Sequence, residues 1–142
     1  MTVSILLAQK GRDVITVTSQ STLADAVDIL ATRKIGAVVV VDKIDTVCGI
    51  LSERDIVRQI AETGVDALNA AVSSCMTSKV VSCDTTETLD GLMEKMTAGR
   101  FRHLPVIENG TLDGLISIGD VVKLKIEQAE RDADEMKRYI AG

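Results

Sequence analysis

The chain has 142 residues, 46% of them hydrophobic and 26% charged, with a formal net charge of −5. That acidic balance argues against generic nucleic-acid binding, which relies on basic patches against phosphate, and no apolar run approaches the roughly 20 residues that span a bilayer. With Phe101 and Tyr139 as its only aromatic residues, the chain must build its core from Val, Ile, Leu, Ala and Met, and it offers no stacking platform for single-stranded bases.

Residues 3–8 form an apolar stretch too short for a secretory signal, with no basic flank before it. A short strand is predicted at 14–17. A polar cap and an amphipathic helix at 22–34 follow, with Leu23, Ala26, Val27 and Leu30 as the apolar stripe. Gly36 is placed to end that helix in a left-handed conformation. Strands at 37–41 and 47–51 come next, joined by a turn at 42–46. The unbroken run from Ala37 to Val41 reads as a strand buried on both faces. A further helix begins near Ser52. Residues 62–75 join this unit to the next, with a short helix predicted at 65–72.

The same order then recurs. A strand is predicted at 80–83 and a helix at 88–99, with Leu89, Leu92, Met93 and Met96 inward and Gly99 at its end. Strands at 103–107 and 112–116 flank Asn109-Gly110, a strong hairpin signal. The last helix starts near Ser117 and runs to about residue 139. Along it Ile118, Val122, Ile126, Ala129, Ala133, Met136 and Ile140 recur every three or four positions. Such a stripe either lies along its own domain or forms a seam with a partner. Cys48, Cys75 and Cys83 are an odd number without C-x-x-C spacing, and read as reduced thiols in a cytoplasmic protein.

The recurrence is an internal repeat. Gly49-Ile-Leu-Ser-Glu-Arg-Asp55 returns as Gly114-Leu-Ile-Ser-Ile-Gly-Asp120, an offset of 65; before residue 42 the offset is 66. The predicted class is mixed α+β: a first β-α-β-β-α unit at 1–61, a linker at 62–75, a second unit at 76–125 and a C-terminal helical extension at 126–142. Each unit carries Ser-x-x-Asp at a strand-to-helix turn. An Asp there can accept both hydroxyls of a ribose, and a Ser hydroxyl with free helix-start N–H groups can hold phosphate. The same pattern is nearly a capping box, which stabilises a helix with no ligand. The two roles are compatible.

Two such units, each ending in Gly-h-h-Ser-x-x-Asp (h, hydrophobic), resemble a tandem pair of CBS domains, named after cystathionine β-synthase. The second copy is the closer match: Arg100-Phe-Arg-His-Leu-Pro-Val-Ile107, a turn, then Asp113-Gly-Leu-Ile-Ser-Ile-Gly-Asp-Val-Val122. The likeness covers roughly residues 11–125. It implies two repeats packed about a pseudo-two-fold axis, with two clefts that take adenosine-containing ligands such as AMP, ADP, ATP, NAD or S-adenosylmethionine. It also implies a regulatory module, a homodimer and a regulated partner protein. By this resemblance Ser52, Asp55, Ser117 and Asp120 would grip ribose and phosphate, and Arg54, Arg102 and His103 would reach phosphate. Thr16, Ser82, Ala37 and Pro105 would border the base. Ile15, Val38 and Ile50 would wall one base pocket; Val81, Leu104 and Ile116 would wall the other. Asp120→Ala is expected to weaken binding.

The copies are unequal. Arg102-His103 stands where the first copy has Gly36-Ala37, and Ile118-Gly119 where it has Glu53-Arg54. Two clefts of unequal affinity, or two clefts for different ligands, are therefore expected. No nucleophile–base–orienter set, metal-ligand spacing or Gly-rich phosphate loop is present in the sequence, so neither an enzyme, a metal site nor a catalytic cofactor is expected. The competing reading is a constitutive dimeric scaffold with vestigial clefts.

Overall fold

The structure, a computed structural model, describes residues 1–42 and 46–141. The run Ala37–Val41 forms β2 with all five residues buried, as its unbroken apolar sequence predicts. It lies between β1 (Thr16–Thr18), which is parallel to it, and β3 (Val47–Ser52), which is antiparallel. In the second unit β4 (His103–Glu108) pairs antiparallel with β5 (Thr111–Ser117). Asn109 and Gly110, at φ 51° and 76°, make the tight turn between them. The matching turn of the first unit falls largely on residues 43–45, outside the described residues. Both hairpins shift register at the same place, between Val40 and Val41 and between Val106 and Ile107.

Helices α2 (Leu23–Arg33) and α4 (Leu89–Gly99) start on Thr22 and Thr88. Each threonine oxygen accepts a backbone N–H, of Asp25 and Gly91, at 3.1 Å, a cap that contributes about 1 kcal/mol. Neither Gly36 nor Gly99 supplies the left-handed residue expected at the helix ends. Lys34 and Arg100 take the left-handed position, both at φ 55°. Gly99 is instead the last helical residue, and any Cβ there would lie 2.0 Å from the Phe101 ring.

The strand expected at 80–83 is reduced to a single parallel bridge between Cys83 and Val106. Cys83 N–H donates to the Pro105 carbonyl and Ile107 N–H to the Cys83 carbonyl. The next rung toward Val81 would need an N–H from Pro105, which has none. The helix expected at 65–72 is two short 3-10 turns, Val65–Asn69 and Val72–Ser74. Between them Ala70 and Ala71 are extended, because the Ala70 carbonyl accepts from Leu23 N–H and Val72 N–H donates to the Ser21 carbonyl.

One helix escaped the sequence reading. Helix α1 (Val3–Lys10) buries Val3, Leu6 and Leu7. These side chains sit not in the first unit's core but in the second's, with Leu89, Leu92, Leu104 and Ile116. The apolar side chains of α1 therefore pack with the second half, although the sequence places them before the first unit. Leu7 lies directly on Gly114, where a Cβ would come within 2.7 Å of its Cδ2. Met76 lies on Gly49 in the same way, with its Sδ 2.5 Å from the Cβ position. The glycine that opens each repeated motif is thus a landing place for the segment that leads into the other unit.

The first core gathers Val17, Leu23, Leu30, Val38, Val40 and Leu51 with Ile56 of α3 (Glu53–Thr63). Val121 and Leu124 are the only buried residues of α5 (Ile118–Ala141). Beyond residue 128 every described residue of α5 is exposed, so that about 20 Å of helix stands clear of its own domain. Cys48, Cys75 and Cys83 are free, and burial pushes the Cys83 thiol up to about 12. No helix among the described residues is long and apolar enough to cross a membrane.

Candidate functional site: two crossed clefts

Both Ser-x-x-Asp copies are complete capping boxes. Ser52 N–H donates to Asp55 Oδ2 at 3.0 Å and Asp55 N–H to Ser52 Oγ at 3.3 Å. The equivalent bonds between Ser117 and Asp120 measure 2.9 and 3.2 Å. The local reading of the motif is therefore correct as structure. It also fixes each carboxylate at the mouth of a cleft.

The clefts are built across the repeats. Cleft 1 joins Ser52 to Asp55 and Arg58 of the first unit to Lys79, Val81 and residues 99–103 of the second, with Ile50, Thr77 and Gly36 completing its wall. Cleft 2 joins Ser117, Asp120 and Leu115 of the second unit to Asp13, Val14, Ile15 and residues 34–37 of the first, with Lys10 and His103. At offsets of 65 and 66 the two sets correspond: Ile50 with Leu115, Val81 with Ile15, Arg100 with Lys34, Arg102 with Gly36. This exchange of partners is what an approximate two-fold relation between the halves produces.

Of the residues singled out from sequence, Ser52, Arg54, Asp55, Ile50, Val81 and Arg102 come together in cleft 1. Ser117, Asp120, Ile15 and Ala37 come together in cleft 2, and His103 lines both. Ile50, grouped from sequence with Ile15, lines cleft 1 with Val81, while Ile15 lines cleft 2. Val38, Leu104 and Ile116 are wholly buried in the cores and wall neither cleft. Pro105 is buried within β4. Thr16 is exposed on β1, one residue beyond Ile15, and the Ser82 carbonyl is taken by Lys95 Nζ at 3.0 Å. Neither lines a cleft; the residues one position earlier, Ile15 and Val81, do. Lys10, Lys34, Arg58 and Lys79 went unrecognised. The equal 66-residue offset of Lys34 and Arg100 was the available signal for one of them.

Cleft volumes of about 260 and 380 Å³ do not set the two apart as ligand sites, so charge must. Cleft 1 presents Arg54, Arg58, Lys79, Arg100 and Arg102 against Glu53 and Asp55. Cleft 2 presents Lys10 and Lys34 against Asp13 and Asp120. An excess of cations in one cleft and a balance in the other favour anionic ligands in the first. Glu53 does reach the cleft wall, with Oε1 3.7 Å from the Cβ position of Gly36. Burial alone would raise the Asp120 carboxyl; the Lys10 ammonium and the Ser117 backbone and hydroxyl outweigh it and hold the carboxyl below its ordinary value. Among the described residues no group of three or more His, Cys, Asp or Glu side chains is placed to hold a metal ion.

His103 sits between the clefts, its Cε1 3.3 Å from where a Gly36 Cβ would be. Burial lowers its pKa, and Lys10 and Arg102 add to that, while Asp120 and Glu53 oppose. An unfolded imidazole takes its proton near pH ~6.5, so the fold excludes a proton that the unfolded chain binds. Stability from this source is full above that pH and is lost as pH falls through it toward the lower folded value. The melting temperature should drop between pH 7.5 and 5.5 in the wild type and drop less in His103→Gln. Equal pH slopes in the two proteins would remove His103 as the cause.

Comparison with known proteins gives this architecture a family. The family model of the CBS domain matches residues 11–62 and 72–127. The mitochondrial CBS domain-containing protein CBSX3 of Arabidopsis thaliana is 30% identical over 149 residues, covering 99% of this chain and 72% of that protein. Other curated relatives are longer, and the chain spans about a quarter of them. The crystal structure of the CBS-domain containing protein ATU1752 from Agrobacterium tumefaciens is 52% identical, with a TM-score of 0.85 over 87% of this chain and 92% of that one. The CBS domain pair of protein MJ0100, solved with 5-methylthioadenosine and S-adenosyl-L-methionine, shares the fold at 22% identity, with a TM-score of 0.80 over 90% of this chain and 98% of that one. With two matches in the order of its two repeated units, the chain belongs to the CBS domain family as a tandem pair.

Proposed function

We propose that the chain is a regulatory rather than catalytic module that binds an adenosine nucleotide (AMP, ADP, ATP or NAD) in cleft 1. The observation that carries this reading is the placement of Asp55 beside five cationic side chains, Arg54, Arg58, Lys79, Arg100 and Arg102. Asp55 accepts the ribose hydroxyls, the cations hold phosphate, and Ile50, Val81 and Phe101 pack the base. The adenosine-containing ligands of MJ0100 support a purine nucleoside in this fold. Because the cleft is assembled from both halves, a ligand that prefers one packing of them shifts the module toward it. Val57 and Val122, at matching positions of α3 and α5, are 66% and 41% exposed, and Ile126 of α5 is 54% exposed; a second copy of the chain covers this apolar face, and the pair presents the ligand state to a regulated protein.

The test is calorimetry with ATP, ADP, AMP, NAD, S-adenosylmethionine and adenosine, with light scattering on the same samples. ATP should bind more tightly than adenosine, and the mass should be that of a dimer. Absence of heat with every ligand at millimolar concentration would sink the sensor reading and favour a constitutive scaffold. A monomer with and without nucleotide would remove the dimer.

A further inference from the structure

Cleft 2 already holds a cation of the protein's own. Lys10, the last residue of α1, places Nζ 2.5 Å from Asp120 Oδ2 and 2.5 Å from the Leu115 carbonyl. The equivalent groups in cleft 1 are differently engaged. The Ile50 carbonyl, counterpart of Leu115, accepts the backbone N–H of Thr77 at 2.9 Å. The nearest cation to Asp55 is Arg58 of its own helix, at 3.7 Å. One carboxylate faces an open cationic cleft, and the other is bonded to an ammonium.

The helix that carries this lysine is held in place by packing. Leu6 and Leu7 are buried in the second core, and Leu7 rests on Gly114, next to Leu115. Val3 N–H donates to the Glu87 carbonyl and Leu89 N–H to the Met1 carbonyl, which tie down the other end of α1. A ribose approaching Asp120 offers neutral hydroxyls in exchange for a bond in which donor and acceptor are both charged. Its phosphates find no compensating excess of cations there.

We propose that Lys10 is the internal occupant of cleft 2: by holding Asp120 and the Leu115 carbonyl it closes that cleft to nucleotide, so that each chain binds one nucleotide, in cleft 1. This rests on the nucleotide reading of cleft 1. It reverses the sequence-based expectation that Asp120 is a principal ribose contact. Lys10 is then the residue that sets the stoichiometry of the pair.

The experiment is titration calorimetry with adenosine, which brings no phosphate charge to either cleft, with circular dichroism to establish that each variant is folded. Wild type should bind one adenosine per chain. Lys10→Met keeps the aliphatic stem of the lysine and removes the ammonium; it should bind two. Asp55→Ala should weaken the wild-type site by roughly 10–100-fold, and Lys10→Met/Asp55→Ala should keep one site, cleft 2, at full affinity. Two sites in wild type would overturn the proposal whether or not Lys10→Met folds. A folded Lys10→Met that binds only one adenosine would also overturn it, while leaving the reading of cleft 1 intact. Silence of wild type toward both adenosine and ATP would overturn both readings.

Discussion

Replacing Leu7 with alanine should destabilise the protein by about 2–5 kcal/mol, the range for truncating a buried leucine that leaves a cavity. For a chain of this size that is a fall of roughly 6–15 °C in melting temperature. Leu7 is 1% exposed and packs in the second unit's core, although the sequence places it before the first unit. Its neighbour Ile5 is 43% exposed, and Ile5→Ala should change stability by no more than about 0.5 kcal/mol. Thermal denaturation of the two variants checks the contrast. Equal melting of Leu7→Ala and wild type would mean that α1 is a loosely attached tail. Lys10 would then lose the support that keeps it beside Asp120.

Arg102→Ala should weaken ATP binding by roughly 10–100-fold, the scale of one lost hydrogen bond to a charged group. Adenosine, which has no phosphate, should bind within about twofold of wild type. The fold should tolerate the change, because the structural role of Arg102 belongs to its backbone: its carbonyl accepts Ile118 N–H at 2.8 Å, and the side chain projects from an exposed residue. The ATP affinity of wild type should also fall with added salt more steeply than that of the variant, since screening acts on the charge removed. An equal loss for ATP and adenosine would show that Arg102 supports the shape of the cleft and does not hold phosphate. No loss for either would shift the phosphate role to Lys79 and Arg100.

Much of the fold was legible because it is written in local patterns. The Thr22 and Thr88 caps, the apolar stripes of α2 and α4, the Asn109-Gly110 turn and the buried run Ala37–Val41 each follow from a few adjacent residues. The failures share a different cause. The short strand before α4 was lost because Pro105, more than 20 residues away in sequence, cannot supply a ladder donor. The linker helix was broken by bonds to Ser21 and Leu23. Helix α1 was overlooked because eight residues with a weak apolar face carry little signal alone; its burial comes from a core made by Cys83 and residues beyond it, far along the chain.

The candidate site divides along the same line. By itself the sequence determined the repeat, its family resemblance, the capping geometry of Ser52–Asp55 and Ser117–Asp120, and the inequality of the two copies, because each depends on short-range spacing or direct comparison of matching positions. Only the tertiary structure decided which halves meet. It set Asp55 with Lys79, Arg100 and Arg102, and Asp120 with Lys10 and Lys34. A cleft's charge is a sum over side chains brought together from distant segments, and packing of the two cores, not the order of residues along the chain, selects the members of that sum.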